Sequence, residues 1–514
     1  MIPRSDGAAH RIELPNPAVA PLRQLRANLA DSGAEAYVVG GFLRDLILGI
    51  PATDIDLAVR GDAIAIARDA AKALGASFVL LHEEHAIARI VLPRSEPDDG
   101  PRWTLDLTSY SGGIEQDLAG RDFAINAMAA SLDDVLACGD AAAAPSDAAS
   151  ELRLLDLCGG LDDIRARRIR VVSVDAFRSD AARLLRAVRL AARLGFTIDE
   201  PTRLQIGRDA HLLTGVAAER LRDEFLKTLG EPDATASLRL MDELGLLCRL
   251  IPELEESRDV EQPREHYWDV FYHCLETPSH VERLTEGRGE AEDSIIAISP
   301  WRPQLEAHFD EEVSDGHTRR TIVKLAGLLH DVAKPATKTV DDTGRMRFFG
   351  HDARGADMCQ SILRRLRISS RGVDLVDTMV RHHLRPTQMR QGVELPTPRA
   401  IYRFFRDLGE AAVDTLYLNM ADYLAAKGHA VESGDWAGHC RLITHILDGG
   451  LDQEGAPRAA PKLLDGHALM EALGLPPGPQ VGRLLEAVAE AQGAGEVTTP
   501  EEALELARRL VEAG

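Results

Sequence analysis

The stretch that decides the fold is VVGGFLRD, residues 38–45, followed by TDIDLAV, residues 53–59. An apolar run enters the Gly40-Gly41 pair and continues into a helical pattern carrying Arg44 and Asp45. A glycine turn at a helix start lets backbone N–H groups approach a polyphosphate closely, and the helix dipole favours its negative charge there. Arg44 is placed to hold a phosphate oxygen. The next apolar run carries Asp54 and Asp56. Side chains alternate along a strand, so both carboxylates face one side while Ile55 and Leu57 face the core. Two hard carboxylates side by side suit Mg2+, and a pair of such ions activates an attacking hydroxyl and steadies a leaving pyrophosphate. Asp106, in WTLDLTSY (103–110), shares a strand face with Thr104 and Thr108 and is the candidate for a third metal carboxylate.

Outward from this signature, short apolar runs (Tyr37–Val39, Ile55–Val59, Ala86–Leu92, Trp103–Thr108) alternate with helical stretches, the pattern of an α/β head over residues 35–174. Residues 1–34 form an N-terminal extension with a helix. Residues 175–257 are helical throughout, 258–440 are helical and rich in His and Asp, and 441–514 are a helical tail. The fold class expected is α+β, an α/β head followed by an all-helical body. The low-complexity segment GDAAAAPSDAAS (139–150) reads as a flexible hairpin tip, and the polar, proline-containing stretch 285–320 as a loop insertion. In the tail, LGLPPGPQVG (473–482) sets a turn between amphipathic helices.

A chain of 514 residues suggests three or four such units. The net charge of −23 argues against a surface that coats nucleic acid, so RNA contact requires a local basic region. Residues 165–193 supply one, with nine arginines against Asp175 and Asp180. Taken alone, this stretch reads equally as a solvated, salt-bridged helix face. The sequence has no apolar run near 18 residues and no signal-peptide core, so a cytoplasmic protein without a membrane partner is expected. Its six cysteines form no CxxC pair and read as reduced thiols.

The segments DLAGRDFAINAMA (117–129) and RSDAARLLRAVRLAARLGF (178–196) make the pattern specific. With them, residues 36–255 resemble the class II tRNA nucleotidyltransferase (CCA-adding enzyme) and poly(A) polymerase family. The resemblance implies a nucleotidyltransferase head whose Asp54 and Asp56 bind catalytic metal and whose Gly40, Gly41 and Arg44 contact phosphate or sugar. It places Arg121, Asp122 and Asn126 at the nucleotide, and gives Asp180, Arg183, Arg186 and Arg189 to a nucleotide-recognition helix. Their three-residue spacing puts these four on one broad helix face. A carboxylate accepts from the amino group of cytosine or adenine, and a guanidinium donates to ring acceptors. Asp180 and Arg183 are thereby suited to selecting C or A without a template, with Arg186 and Arg189 holding triphosphate or supporting the readers.

The sequence departs from the family pattern at Ser179, which stands for Glu, at Gly120, which stands for Arg, and at Ala124, which stands for Thr. Only Ser111–Gln116 link the TSY strand to the DLAGRD segment. Many family members carry a longer loop there that helps the switch from C to A addition, so CC-only or A-only activity stays open beside full CCA and poly(A) addition.

A second set of residues lies in HYWDVFYHCLE (His273), KLAGLLHDVAKP (His330, Asp331), FFGHDARGA (His351), VRHHLRP (His382 and His383) and NMADYLA (Asp422). Their order resembles the HD phosphohydrolase superfamily, which implies a site for one or two divalent metals held by His273, His330, Asp331, His351, His382 and Asp422. Imidazole with carboxylate suits Mn, Fe, Ni or Zn. A helical scaffold or RNA-binding body that keeps these residues is the alternative. The reading favoured is transfer of CMP or AMP from CTP or ATP to a tRNA 3′ end, with Mg2+ and no obligate protein partner. Against it stand a degenerate head with an active HD phosphohydrolase, and a nucleotide sensor.

Overall fold

The computed structural model describes residues 14–30, 34–93, 102–141, 152–263, 265–286, 294–390, 392, 394–451 and 462–513. The chain falls into two compact units, Met1–Gly215 and Val216–Gly514.

The first unit is built on a seven-stranded mixed sheet of β1 (Ala36–Val39), β2 (Asp54–Arg60), β3 (Ser77–His82), β4 (Ile87–Val91), β5 (Thr104–Tyr110), β6 (Met128–Ser131) and β7 (Leu155–Asp156), in spatial order β3-β4-β5-β2-β1-β6-β7. β2 and β5 run parallel in the register Asp54↔Thr104 and Asp56↔Asp106, and β1 lies antiparallel to β2 with Val39 opposite Asp56. The alternation of β2 decides its faces. Ile55, Leu57 and Val59 join Leu105 and Leu107 in the main core, which is covered by Leu22, Leu25 and Leu29 of the helix Asn16–Ala30 and by Ala63, Ala67 and Ala70 of the helix Ala63–Ala73. Ala58 packs on the other face with Val39, Tyr110, Ile114, Leu118 and Ala129. Asp54 and Asp56 share that second face. Asp62 caps the helix Ala63–Ala73 by accepting from the Ile64 and Ala65 N–H groups, both at 3.0 Å.

The four strands read from the sequence are β1, β2, β4 and β5. The edge strand β3 was not anticipated, because Val79, Leu80 and Leu81 form an unbroken apolar run that stays partly exposed rather than alternating. Most of the low-complexity segment 139–150 lies outside the described residues, and its first three residues end the helix Leu132–Ala141.

The second unit is helical. Its centre packs the helices Val270–Thr285, Arg319–Leu329, His351–Arg365, Ser370–His382 and Ala412–Lys427 against one another. Arg319–Leu329 is buried along its whole length, in keeping with its central position. The helices Gly466–Leu473, Pro479–Gly493 and Pro500–Ala513 close a small separate core around Leu469, Leu484 and Val488. No described helix is long and apolar enough to cross a membrane. The six cysteines are unpaired.

The stretch 285–320 is not simply a loop. From Ser294 onward it forms the helices Ser294–Ala297 and Gln304–Asp310 and a hairpin of Glu312–Ser314 with His317–Thr318. Leu305 and Phe309 are buried, and Phe309 packs edge-on against Tyr417 at 4.9 Å between ring centroids. This segment also closes a buried ion network. Asp414, fully buried, takes Arg319 at 2.7 Å and His308 at 2.8 Å, while Arg319 also reaches Glu311 at 2.6 Å. Removing one partner of a buried pair strands the other charge, at a cost of about 3–5 kcal/mol. Asp414→Ala is therefore expected to lower the thermal midpoint of this unit clearly in calorimetry, whereas Glu505→Ala, whose ion pair with Arg508 is exposed at both ends, leaves it nearly unchanged.

Candidate functional site

β1 ends at Val39 in extended geometry and the chain turns through Gly40, whose φ of +73° is the left-handed conformation that glycine adopts without strain. The helix Gly40–Leu48 then begins directly behind the β2 carboxylates. A Cβ on Gly40 would stand 2.8 Å from Asp56 Oδ2 and 2.9 Å from Arg121 Nη1. The Gly41 backbone N–H donates to Asp56. Asp54 is exposed and accepts from Thr104 Oγ1 at 2.7 Å. Burial pushes Asp56 up to about 6; Arg121 opposes this, and the neighbouring Asp106 and Asp54 charges add to it. An anionic pair in this setting favours a bound cation.

Two adjoining clefts of about 300 and 270 Å³ open at this point and share Gly41, Asp56, Asp122, Asn126 and Arg186. The first adds Arg44, Asp54, Arg189 and Arg193; the second adds Gly40, Thr108, Arg121, Asp180 and Arg183. Every head residue singled out from the sequence lines one of the two, except Asp106. Both Asp106 oxygens are taken at 2.7 Å by the guanidinium of Arg89, its neighbour across β4 and β5. Among the described residues, no third His, Cys or carboxylate completes a three-ligand cluster with Asp54 and Asp56.

Between the clefts runs a buried polar chain. Arg186 reaches Asp122 Oδ2 at 3.2 Å, and Asp122 Oδ1 accepts from Asn126 at 3.1 Å and from the Phe123 N–H at 2.8 Å. Asn126 Oδ1 accepts from Arg44 at 2.7 Å, Arg44 holds Asp45 at 2.6 Å, and Asp45 takes Arg193 at 3.1 Å. Burial works to raise the Asp122 pKa, but Arg186, Asn126 and the Phe123 N–H together keep it below the ordinary value. Arg44 is lowered by burial against the support of Asp45. Arg193 and Arg89, neither foreseen, both belong to this electrostatic setting. Arg193 was detectable in principle, since it continues the three- and four-residue arginine spacing by one turn.

The helix of the arginine motif spans Arg183–Leu194, with Leu184, Leu185, Val188 and Ala191 buried and Arg186 and Arg189 at the cleft. Asp180 is not on it. It sits in an extended corner between the turn Ala176–Ser179 and this helix, where its Oδ1 accepts from the Ala182 N–H at 3.2 Å. Arg183 is held by the Gly120 carbonyl at 3.0 Å and by Ser179 Oγ at 3.3 Å. Ser179 and Gly120, two of the departures from the family pattern, thus both touch the arginine beside Asp180.

In the second unit His273, His330, Asp331, His351, His383 and Asp422 converge. His273 Nε2 lies 3.1 Å from His330 Nε2 and 3.1 Å from Asp422 Oδ1. Asp331 Oδ2 stands 3.3 Å from His273 and 3.2 Å from His330, while its Oδ1 stands 3.3 Å from His351 and 3.9 Å from His383. His330, His351 and His383 each fix Nδ1 on a backbone carbonyl, of Gly327 at 2.8 Å, Phe348 at 2.6 Å and Val380 at 2.7 Å, so that Nε2 points to the centre. That arrangement orients metal-ligating histidines. The buried Nε2 atoms of His351 and His383 and the Oδ1 of Asp331 have no hydrogen-bond partner. His273, His330 and Asp422, and likewise His330, Asp331 and His383, offer ligand atoms within 4.8 Å of one another. This donor set fits a divalent metal. Burial opposes charge on His330, yet Asp331 and Asp422 raise it to about 10, the mark of a cluster that calls for positive charge.

His382, the member of the pair chosen from the sequence, is half-buried, and burial, followed by Arg385 and Arg381, lowers its pKa. His383 takes its place because it follows Val376 and Val380 on the buried face of the preceding helix. Lys334, also unforeseen, contacts Asp331 at 2.5 Å.

Backbone N–H groups and guanidinium groups gathered around a carboxylate pair on a sheet define a nucleotidyltransferase head. Residues 36–170 match the family model described as the poly A polymerase head domain, 195–257 the probable RNA and SrmB-binding site of polymerase A, and 270–427 the HD domain. The chain is 33% identical over 485 residues to the A-adding tRNA nucleotidyltransferase of Deinococcus radiodurans, covering 93% of this chain and 96% of that protein. It is 33% identical over 476 residues to the CC-adding tRNA nucleotidyltransferase of Thermus thermophilus, covering 91% and 92%. The chain belongs to the tRNA nucleotidyltransferase family. Its fold resembles the Thermotoga maritima CCA-adding enzyme complexed with tRNA, with a TM-score of 0.57, 22% identity and 97% of each chain covered. It also resembles a CCA-adding enzyme in complex with CTP, with a TM-score of 0.59, 22% identity and 97% and 96% covered. Family membership implies a divalent metal at the head.

Proposed function

We propose that the head, residues 35–174 with the helical segment 175–257, adds nucleotides from CTP or ATP to the 3′ end of tRNA without a template. The observation that carries this reading is the pair of joined clefts, one lined by Arg44, Asp54, Arg189 and Arg193 and the other by Arg121, Asp180 and Arg183, with Asp56 common to both. Asp54 and Asp56 would hold Mg2+, which would supply Lewis-acid activation of the RNA 3′-hydroxyl and charge neutralisation for the departing pyrophosphate. The turn at Gly40 and Gly41 spends its Gly41 N–H on Asp56, and Arg44, Arg186 and Arg189 supply positive charge along the triphosphate. Arg121 steadies the nucleotide at the Gly40 turn. Asp122 and Asn126 act by positioning, since their polar atoms are engaged with Arg186 and Arg44. Asp180 and Arg183 meet the base edge, where C and A present an amino group and U and G a carbonyl. Asp180→Ala/Arg183→Ala is therefore expected to lower the preference for CTP over UTP by at least about tenfold in single-nucleotide addition. Unchanged preference would remove these two residues from base selection.

The product is assigned as CC. Only Ser111–Gly113 separate β5 from the helix Ile114–Ala119, so the longer loop that serves the C-to-A switch in relatives has no counterpart here. The names of the relatives divide: those from Thermus thermophilus and Geobacter sulfurreducens, CC-adding, match over 91% and 94% of this chain and that from Deinococcus radiodurans, A-adding, over 93%, so the short connection carries the assignment. Transcripts ending at the discriminator base, after C and after CC test it. The first two gain C from CTP and the third gains nothing; A added to the third would instead make this an A-adding or full CCA enzyme.

The cluster of residues 258–440 is assigned as a transition-metal site of phosphohydrolase type, with His273, His330, His351, His383, Asp331 and Asp422 as ligands. Protein loaded with Ni2+ or Mn2+ and desalted is expected to retain metal, and His330→Ala/Asp331→Ala to retain none above an EDTA-treated control. Equal retention would place the metal elsewhere.

A further inference from the structure

Arg89, Asp106 and Asp56 stand in one row across three neighbouring strands. Arg89 of β4 is paired with Asp106 of β5, and Asp106 with Asp56 of β2. Residues paired in register point to the same side of a sheet, so a guanidinium ends the row that the carboxylates begin. Arg89 takes both Asp106 oxygens, Oδ1 through Nε and Oδ2 through Nη2, each at 2.7 Å. Two parallel, charge-assisted hydrogen bonds of this kind are strong, and Asp106 must give them up before it can turn to another cation. The Asp106 side chain is 17% exposed and that of Arg89 37%, so the arginine is the more open member of the pair. The charge on Arg89 is sustained first by its hydrogen bonds to Asp106, against burial, and then by the charges of Asp106, Asp54 and Asp56. Arg89 is thus a fixed positive charge felt by both head carboxylates, although it lines neither cleft.

We propose that Arg89 is a positioning residue that withholds Asp106 from the cation of the head and so sets how strongly the head binds a divalent ion before nucleotide arrives. The proposal rests on the reading that Asp54 and Asp56 hold that ion. With Arg89 in place, an ion meets two carboxylates and a positive charge beside them, which keeps its affinity low. Mg2+ is ordinarily held by one or two carboxylates together with substrate phosphates, and a triphosphate brings the oxygens that the withheld carboxylate does not supply. Ion and nucleotide are therefore taken up together rather than one ahead of the other.

The test titrates Mn2+ into full-length protein carrying His330→Ala/Asp331→Ala, so that the cluster of the second unit does not compete, and reads free Mn2+ from its EPR signal without nucleotide. Arg89→Met is expected to tighten Mn2+ binding at least about fivefold, because it removes a nearby like charge and frees a carboxylate. Adding Asp106→Asn to Arg89→Met is expected to bring the affinity back to within about twofold of the starting protein, the non-additivity of residues that act through each other. A damaged fold loses affinity rather than gaining it. Should Arg89→Met fail to fold, Arg89→Gln, which keeps a donor for Asp106 and drops the charge, is expected to shift the affinity in the same direction. Unchanged or weaker binding in the Arg89 variants would overturn the proposal. So would tight binding that persists in Arg89→Met/Asp106→Asn, since Arg89 would then act as a neighbouring charge and not through Asp106. Mn2+ binding that survives Asp54→Ala/Asp56→Ala in full would instead overturn the reading that these two carboxylates hold the ion.

Discussion

Asp56→Asn is expected to lower single-turnover CMP addition by at least about 10³-fold, because a metal ligand in a phosphoryl-transfer site supplies several kcal/mol of charge stabilisation and each 1.36 kcal/mol is tenfold in rate. The side chain keeps its shape, so the loss is chemical rather than steric. The same substitution is expected to raise the thermal midpoint of the metal-free protein. Burial lifts the Asp56 pKa from 3.8 to about 6, so the folded state holds this proton more firmly than the unfolded chain does. The stability it contributes is fully present below pH 3.8 and is lost as pH rises through about 6. Above that point the ionised carboxylate burdens the fold until a cation joins it, a cost the amide avoids. Melting curves of wild type and variant in EDTA should therefore diverge between pH 4 and pH 7, with the variant more stable at the upper end. A variant less stable there, or one still active, would mean that Asp56 serves the fold and not the metal.

Gly40→Ala is expected to be nearly as damaging by a different route. The left-handed backbone costs an L-residue roughly 1–2 kcal/mol, and the new methyl group would meet Asp56 Oδ2 at 2.8 Å and Arg121 Nη1 at 2.9 Å. Both are groups that the proposed transfer requires in place, and a displacement of about 1 Å at such a site costs on the order of 10²-fold in rate. Gly41→Ala is the control. Its backbone is not left-handed, and the nearest neighbour is the end of the Arg44 side chain at 3.3 Å. Its loss should be several times smaller. Equal losses would trace the effect to the approach of backbone N–H groups to the triphosphate rather than to the carboxylate behind Gly40.

These two positions were legible in the sequence because local rules govern them: a glycine pair ends a strand, and two carboxylates at period two share a face. The first core was legible for the same reason. What escaped depends on the third dimension. Asp180 keeps the three-residue spacing of Arg183, Arg186 and Arg189 yet lies in an extended corner, since spacing does not reveal where a helix starts. Asp106 stands on the expected face, but Arg89, seventeen residues upstream and adjacent only across the sheet, occupies both its oxygens. The choice of His382 over His383 fell to a shift of one residue, about 100° of helix, and the buried Val376 and Val380 would have decided it. The stretch after residue 293 looked unstructured because its apolar residues follow no helical period long enough to read, and what orders it, such as Phe309 packed against Tyr417, lies far along the chain.

The central claim is that the head does the chemistry on RNA and that the HD cluster does not. One assay decides it: extension by CTP and Mg2+ of a tRNA transcript ending at the discriminator base, run with wild type, Asp54→Ala/Asp56→Ala and His330→Ala/Asp331→Ala. Extension is predicted to vanish in the first variant and to persist at near wild-type rate in the second. Extension that survives loss of the head carboxylates, or that disappears with the HD ligands while the protein stays folded, would contradict the account.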